Sequence, residues 1–365
     1  MLIIKDALRS RVESESQGNR TILYTATGQP NYMYVIPRFT LDEVSSGLGN
    51  AIHPAFIING EVKSEFFYGC YPGSIQAGEL LSQPNKEPAS QRDLVAFQLA
   101  AARNGSGWHV STNAEWAALA LLCRHHRWQE QGNTDYGRNY RHHDEIARRL
   151  DHMPAGEQEG LPTTFTASGP TSWYHNGTDS GIGDLSGNLW EWQNGMRLVA
   201  GEIQIIPDNN AAIQKVSSDD PRWQAIDLHT GALISPRDCY SAKFDAPTAL
   251  RTGNAGIPIL NTVIQHFNGD PLDNSYPAGL MDAEFDQIQV ASDIDVPLLL
   301  KILGIIPHSH CDDGDQVYLR NYGERNLLRG GAWYSGRAAG MRTLCLSHGA
   351  SHLSTSVGAR PAFLC

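Results

Sequence analysis

The sequence predicts an α+β fold, and three features of it carry that prediction. Residues 53 to 71 (His53 to Tyr71) alternate apolar and polar side chains around Asn59-Gly60, the dipeptide of a tight β-hairpin. Two helix patterns follow, each opened by a capping residue. Downstream, Asp184 to Trp192 sets two Trp rings on a strand behind a Gly187-Asn188 turn, and the apolar residues of Leu328 to Arg360 recur too irregularly for a helix face.

The 365 residues, 41% of them hydrophobic, suffice for one large core with insertions or for two domains. No apolar run is long enough to span a membrane, and Met1 to Lys5 lacks the basic start and long apolar stretch of a signal peptide, so synthesis and folding in a cytosol-like compartment without membrane insertion are expected. A net charge of -11 argues against nucleic acid as the main partner, because phosphate binding needs basic surface. Six scattered cysteines without a C-x-x-C pair read as free thiols rather than as a disulfide framework or zinc site.

In chain order, residues 1–50 form a small N-terminal β-rich segment. It contains a short helix near Asp6 to Ser14 and a β-rich Thr21 to Phe39, either a strand pair or an oligomerising or docking segment. The main domain is expected over 51–365. Its first helix is placed at Ser90 to Arg103, with Ser90 as N-cap and Leu94, Phe97, Leu99 and Ala101 facing inward. The second is better marked. Thr112 caps it, Glu115 completes a capping box, and Trp116, Leu119, Ala120 and Cys123 follow at helical spacing.

Two insertions are expected, near 125–160 and 195–325. The first is polar and rich in Arg, His and Gly. Its His125, His126, His142 and His143 lack a fixed ligand spacing and are read as loop residues rather than metal ligands. The second holds a β-like Arg197 to Ile206, a Gly/Pro-rich Asp245 to Pro277 and a helix Val296 to Leu303 ending at Gly304, and is expected to buttress the C-terminal region. Within it, His308, His310, Cys311, Asp312, Asp313 and Asp315 are the densest group of potential ligands, yet Asp-Asp-Gly-Asp is ordinary turn chemistry and is read so.

The C-terminal stretch opens on Arg329-Gly330-Gly331-Ala332-Trp333 and closes on Val357-Gly358-Ala359-Arg360. Trp333, Met341, Leu344, Leu346, Ala350, Leu353 and Val357 recur often enough to pin it to a core. Tyr334, Ser335, Arg337, Ala338, Arg342, Cys345, Ser347, His348, His352, Ser354, Thr355 and Ser356 are then expected to point away from that core and bind a ligand.

This frame resembles the variable region of diversity-generating retroelement target proteins, which display hypervariable residues on a C-type lectin fold of the formylglycine-generating-enzyme subtype. In that family, mutagenic reverse transcription changes adenines in Asn codons. Tyr, Ser, Cys, His, Ala and Thr are reachable that way, and positions 334, 335, 338, 345, 347, 348, 352, 354, 355 and 356 all hold one of them. Gly-Asn-x-Trp-Glu-Trp at Gly187 to Trp192 and Gly105 to Arg124, with the Trp116 core plug, resemble the same family and lie in its order. The resemblance implies a variable region over about 332–358, held by a scaffold of Trp116, Trp190, Trp192, Trp333, Leu344 and Leu346.

No cofactor is required by this reading. In relatives a structural calcium can sit at a turn matching Asp184, Gly187, Leu189 and Glu191, hard oxygen ligands of the right kind. A Glu191 carboxylate that simply hydrogen-bonds the backbone accounts for the same residues.

The same fold houses copper-dependent formylglycine-generating oxidases, which need two cysteines near the C-terminus. Aligned on the Arg-Gly-Gly turn, one falls on Cys345 and the other on Gly340, and one thiolate cannot build a two-thiolate copper site. The iron-binding helical domain of sulfoxide-synthase relatives has no counterpart, and no G-x-S-x-G, P-loop or H-E-x-x-H pattern occurs. Gln83-Pro84-Asn85 resembles a sugar-binding lectin's calcium tripeptide, but no Trp-Asn-Asp partner follows. The expectation is a non-catalytic binder of a variable cell-surface protein or glycan, phage- or prophage-encoded and located at the virion tail, with homo-oligomerisation open. The alternatives are a formylglycine-generating-type oxidoreductase and a fixed-specificity glycan-binding lectin.

Overall fold

The computed structural model describes residues 6–213, 215–249, 253–267, 275–310 and 313–364. The elements that position the C-terminal region are, in chain order, α1 (Ala7–Glu15), β1 (Arg20–Tyr24), β2 (Pro30–Pro37), β3 (Glu65–Gly69), α2 (Leu94–Arg103), β4 (Trp108–Val110) and α3 (Asn113–His126). There follow β5 (Trp190–Val199), β6 (Glu202–Ile205), β7 (Leu280–Glu284), α4 (Leu298–Ile302), β8 (Gln316–Leu319), β9 (Glu324–Gly330), β10 (Gly340–His348), β11 (Val357–Ala359) and β12 (Pro361–Phe363). The fold is α+β and mostly strand. Among the described residues no helix is long and apolar enough to cross a membrane.

Local chemistry explains several of these elements. Asp6 caps α1 by accepting from Arg9 N. The Asn59-Gly60 turn joins Ile57–Ile58 to Glu61–Val62 with both turn residues at positive φ, as a two-residue hairpin requires. Thr112 and Glu115 cap α3 reciprocally, and Trp116 beneath them is fully buried, its Nε1 donating to the Met341 carbonyl at 2.8 Å. The first predicted helix needs correction at its start: Asp93, not Ser90, is the N-cap. Leu99 is exposed, contrary to expectation. Five residues of helix turn it away from Leu94, while Phe97 and Ala101 stay on Leu94's face.

One sheet runs β1-β2-β3-β12-β4, so the strand nearest the C-terminus lies between β3 and β4. The N-terminal hairpin is its edge, joined to β3 along Met33 to Pro37 rather than standing apart. The larger sheet runs β7-β8-β10-β9-β5-β6 through its centre, with β11 parallel to the start of β5. The 195–325 stretch supplies β6, β7 and β8. Strand β8 pairs with β10 residue by residue, Val317 with Leu344, Tyr318 with Cys345 and Leu319 with Leu346.

Both faces of this larger sheet are packed. Leu344 and Leu346 belong to a core shared with Trp116, Met196 and Val317. Trp190, Trp192, Leu328, Trp333, Cys345 and Val357 form a second core with Leu94 and Phe97 of α2. The 125–160 stretch contributes little apolar surface. It is organised instead around the buried Arg149 guanidinium, which pairs with Asp151 and donates to the carbonyls of Tyr136, Pro154, Glu157 and Glu159.

Candidate ligand-binding surface

The frame of the C-terminal segment is set where β9 ends. Gly330 and Gly331 both adopt φ near +89 and +88, and a Cβ on Gly330 would stand 2.7 Å from the Leu185 carbonyl, so the turn requires glycine. The loop that follows is pinned by Trp333 N to Asn188 O at 3.2 Å and Gly336 N to Thr134 O at 2.9 Å. After β10, residues 349–356 cross the start of α2, with Leu94 N on Ala350 O and Gln91 N on Ser354 O. Trp190 N then takes the Ser356 carbonyl and β11 begins.

On this frame the predicted binding residues divide into three groups. Tyr334 is 50% exposed, and its hydroxyl lies 3.4 Å from Ser356 Oγ, which in turn lies 2.8 Å from Ser354 Oγ. His348 and His352 stack at 3.9 Å between ring centroids beside them, and Ser354 and Thr355 are half-buried. Burial, aided by His352, Arg320 and Arg325, pushes the His348 imidazole down to about 3, and burial with Arg320 also lowers His352, so both rings favour the neutral form.

A second group lies at the opposite end of β10. Ser335 turns back to accept from Ala332 N, and the exposed Arg337 lies 3.9 Å from Glu284. Ala338 is half-buried and its carbonyl accepts from Thr343 Oγ1. Arg342 is not the free surface cation expected. It pairs with Asp286 through two nitrogens at 2.8 and 3.2 Å, and Asp313 and Asp315 stand at 3.5 and 3.9 Å. The predicted Asp-rich turn thereby acts as an anchor for Arg342; Cys311 and Asp312 lie outside the described residues.

The third group is buried. Cys345, Ser347 and Ser356 were expected at the surface, but the second core and the loops at 331–338 and 349–356 cover that face of β10. Burial also raises the Cys345 thiol, holding it protonated, with Ser347 Oγ 3.0 Å from its sulfur. Conversely, Leu353, expected to pin the segment, is 60% exposed. Trp333, Leu344, Leu346 and Val357 hold the backbone without it.

Sequence reasoning missed the partners supplied by the 195–325 stretch. Tyr318 of β8 packs edge-on against Trp190 at 5.9 Å, and Tyr276, Tyr334 and Asp282 lie within electrostatic reach of its phenol. Tyr276 is 74% exposed. Tyr276, Tyr334 and Leu353 offer exposed apolar contact area, and the serines and the His348–His352 pair offer polar contacts. Amphipathic rings beside small hydroxyls and imidazoles suit recognition of a partner surface.

The turn at Asp184 to Glu191 does not fit calcium. Both Glu191 carboxylate oxygens are occupied by Arg360, whose Nε lies 3.1 and 3.0 Å away and whose Nη2 also donates to the Asp184 carbonyl. A dication there would face a buried guanidinium. Burial, partly offset by Arg360, raises the Asp184 carboxyl to about 7. Among the described residues no group of three or more His, Cys, Asp or Glu is arranged to hold a metal ion. Four described cysteines, Cys70, Cys123, Cys239 and Cys345, are free thiols.

No family model matches the chain, and no curated protein matches it. Among solved structures, Treponema denticola variable protein 1 is similar at 10% sequence identity with a TM-score of 0.32, covering 94% of this chain and 98% of that chain. A likeness of that strength leaves the function to be argued from this chain's own geometry.

Proposed function

We propose that this chain is a non-catalytic ligand-binding protein with a C-type lectin-like fold of the formylglycine-generating-enzyme subtype, whose C-terminal face is diversified by a retroelement. One observation carries the reading: within residues 332–358, fixed and free positions interleave on a single frame. Trp333, Leu344, Leu346 and Val357 are buried, while Tyr334, Arg337 and Leu353 are exposed and Ser335, His348, His352, Ser354 and Thr355 are half-buried. Strand β12, lying between β3 and β4, ties the residues that follow the variable region into the smaller sheet. Cell-surface protein or glycan is the ligand class, and a phage or prophage gene with the product at a virion tail is the setting.

The test is a display library. Randomising 334, 335, 348, 352, 354 and 355 leaves most members folded and displayed like the parent, whereas randomising 333, 344 and 346 abolishes display. Equal losses in the two libraries would overturn the reading.

A further inference from the structure

A cleft of about 520 Å³ opens between α3 and the start of β10, on the far side of β10's end from Tyr334 and His348. Its size lies in the range of small-molecule sites. The apolar lining includes Ala120 and Leu121 of α3, Ile302 of α4 and Met341. Its charged groups are unevenly matched. Asp313 and Asp315 face Arg342, and one Glu130 oxygen accepts from Leu185 N at 2.7 Å. The other Glu130 oxygen is closed to solvent without a partner, and burial raises this carboxyl above its ordinary range.

Of the seven Arg and Lys residues in the lining of the cleft, Arg337 and Arg342 have carboxylate partners, Arg124 donates to Ser309, and Arg329 is taken up by Asn113 and the Leu303 and Gly304 carbonyls. The other three, Arg127, Arg141 and Lys301, have no carboxylate partner among the described residues, Arg141 donating only to the Tyr140 hydroxyl. Arg127 follows the last turn of α3, where cations complement the helix dipole, and that alone would account for it. Arg141 and Lys301 come from other elements, the 125–160 loop and α4, and no helix terminus explains their convergence on the same opening. In a chain of net charge -11, this is a local excess of positive charge beside an apolar lining.

We propose that this cleft is a second binding site, bordered on one side by Arg337 and residues 339–342 of the variable region, that takes a small amphipathic anion: an apolar body against Ala120 and Met341 and a carboxylate or phosphate head at Arg127, Arg141 and Lys301. Ala120 and the three cations lie outside residues 332–358, so the site keeps these contacts whatever the variable residues are.

The experiment is a fluorescence titration of the full chain with 8-anilinonaphthalene-1-sulfonate, whose uncharged analogue N-phenyl-1-naphthylamine serves as the comparison. The sulfonate binds one per chain. Replacing Arg127, Arg141 and Lys301 by Gln weakens it by about tenfold or more, the scale of losing charge-assisted contacts, while the neutral analogue is unaffected. Ala120→Trp, filling the cleft, abolishes both, with circular dichroism confirming that the variant is folded. Competition by octanoate and by hexyl phosphate then ranks carboxylate against phosphate heads. Sulfonate binding indifferent to the three Gln replacements, or surviving Ala120→Trp in a folded protein, would overturn the proposal. So would no binding at all. Tyr334→Ala leaves the titration unchanged, so failure of this site and failure of the diversified-face reading are distinguishable.

Discussion

Arg360 and Glu191 form an ion pair sealed from solvent, with the Arg360 side chain wholly inaccessible and both carboxylate oxygens engaged. The same guanidinium donates to the carbonyls of Gly69, Gly183 and Asp184, so one residue ties β3, the turn before β5 and the chain's C-terminal end together. Removing one member leaves the other charged and buried, which typically costs about 3–5 kcal/mol. Arg360→Met is therefore expected to lose that much stability in urea unfolding, and Glu191→Leu added to it recovers part of the loss. An Arg360→Met variant within about 0.5 kcal/mol of the parent would contradict this role.

The same pair bears on calcium. Because Arg360 occupies Glu191, millimolar calcium and a chelator are expected to give the same thermal midpoint. A calcium-dependent rise in Tm would mean that the ion stabilises the folded state and that the pair opens to admit it.

Scaffold and surface separate energetically. Trp190, buried against Tyr318 and the second core, is expected to lose about 3–5 kcal/mol as Trp190→Ala. Tyr334→Ala, half-exposed, stays within about 0.5 kcal/mol. Comparable melting losses for the two would refute the division between frame and face.

Thiol chemistry provides a fourth check. Cys239 is exposed, whereas Cys345 is buried and its thiol pushed upward by that burial. A maleimide followed by peptide mapping is expected to label Cys239 in the native protein and Cys345 only after denaturation. Rapid native labelling of Cys345 would reopen the metal-dependent oxidase reading.

Stability also responds to pH through His53, which is fully buried, accepts from Ala55 N at 3.1 Å and is held neutral, its value pushed down to about 3 by burial. An unfolded His titrates near ~6.5, so between roughly pH 6.5 and 3 the unfolded chain binds a proton that the fold refuses. Stability is therefore lost as pH falls through that window. His53→Asn is expected to lose less stability between pH 7 and 4 than the parent, and parallel curves would contradict the assignment.

Local signals made some of this legible. The Thr112–Glu115 capping box fixed α3 because both residues act within one turn, and Asn59-Gly60 fixed its hairpin for the same reason. Misplacing the start of α2 by three residues came from reading Ser90 as the cap; the carboxylate of Asp93 accepts from Ala96 N and opens the helix instead. The burial of Cys345 and Ser347 was not legible. Alternation along β10 gives one inward and one outward face, and only loops closing from both sides bury the outward one. Tyr276 and Tyr318 join Tyr334 from far along the chain, and Arg342 is captured by Asp286, contacts that no spacing encodes.

The measurement that bears most directly on the diversified-face account is deep sequencing of the gene's 3′ end across a population carrying it. Substitutions are expected to concentrate at Tyr334, Ser335, His348, His352, Ser354 and Thr355. Cys345 and Ser347 should accept only small residues, and Trp333, Leu344, Leu346 and Gly358 should stay constant. An invariant stretch, or substitutions scattered equally over buried and exposed positions, would contradict it.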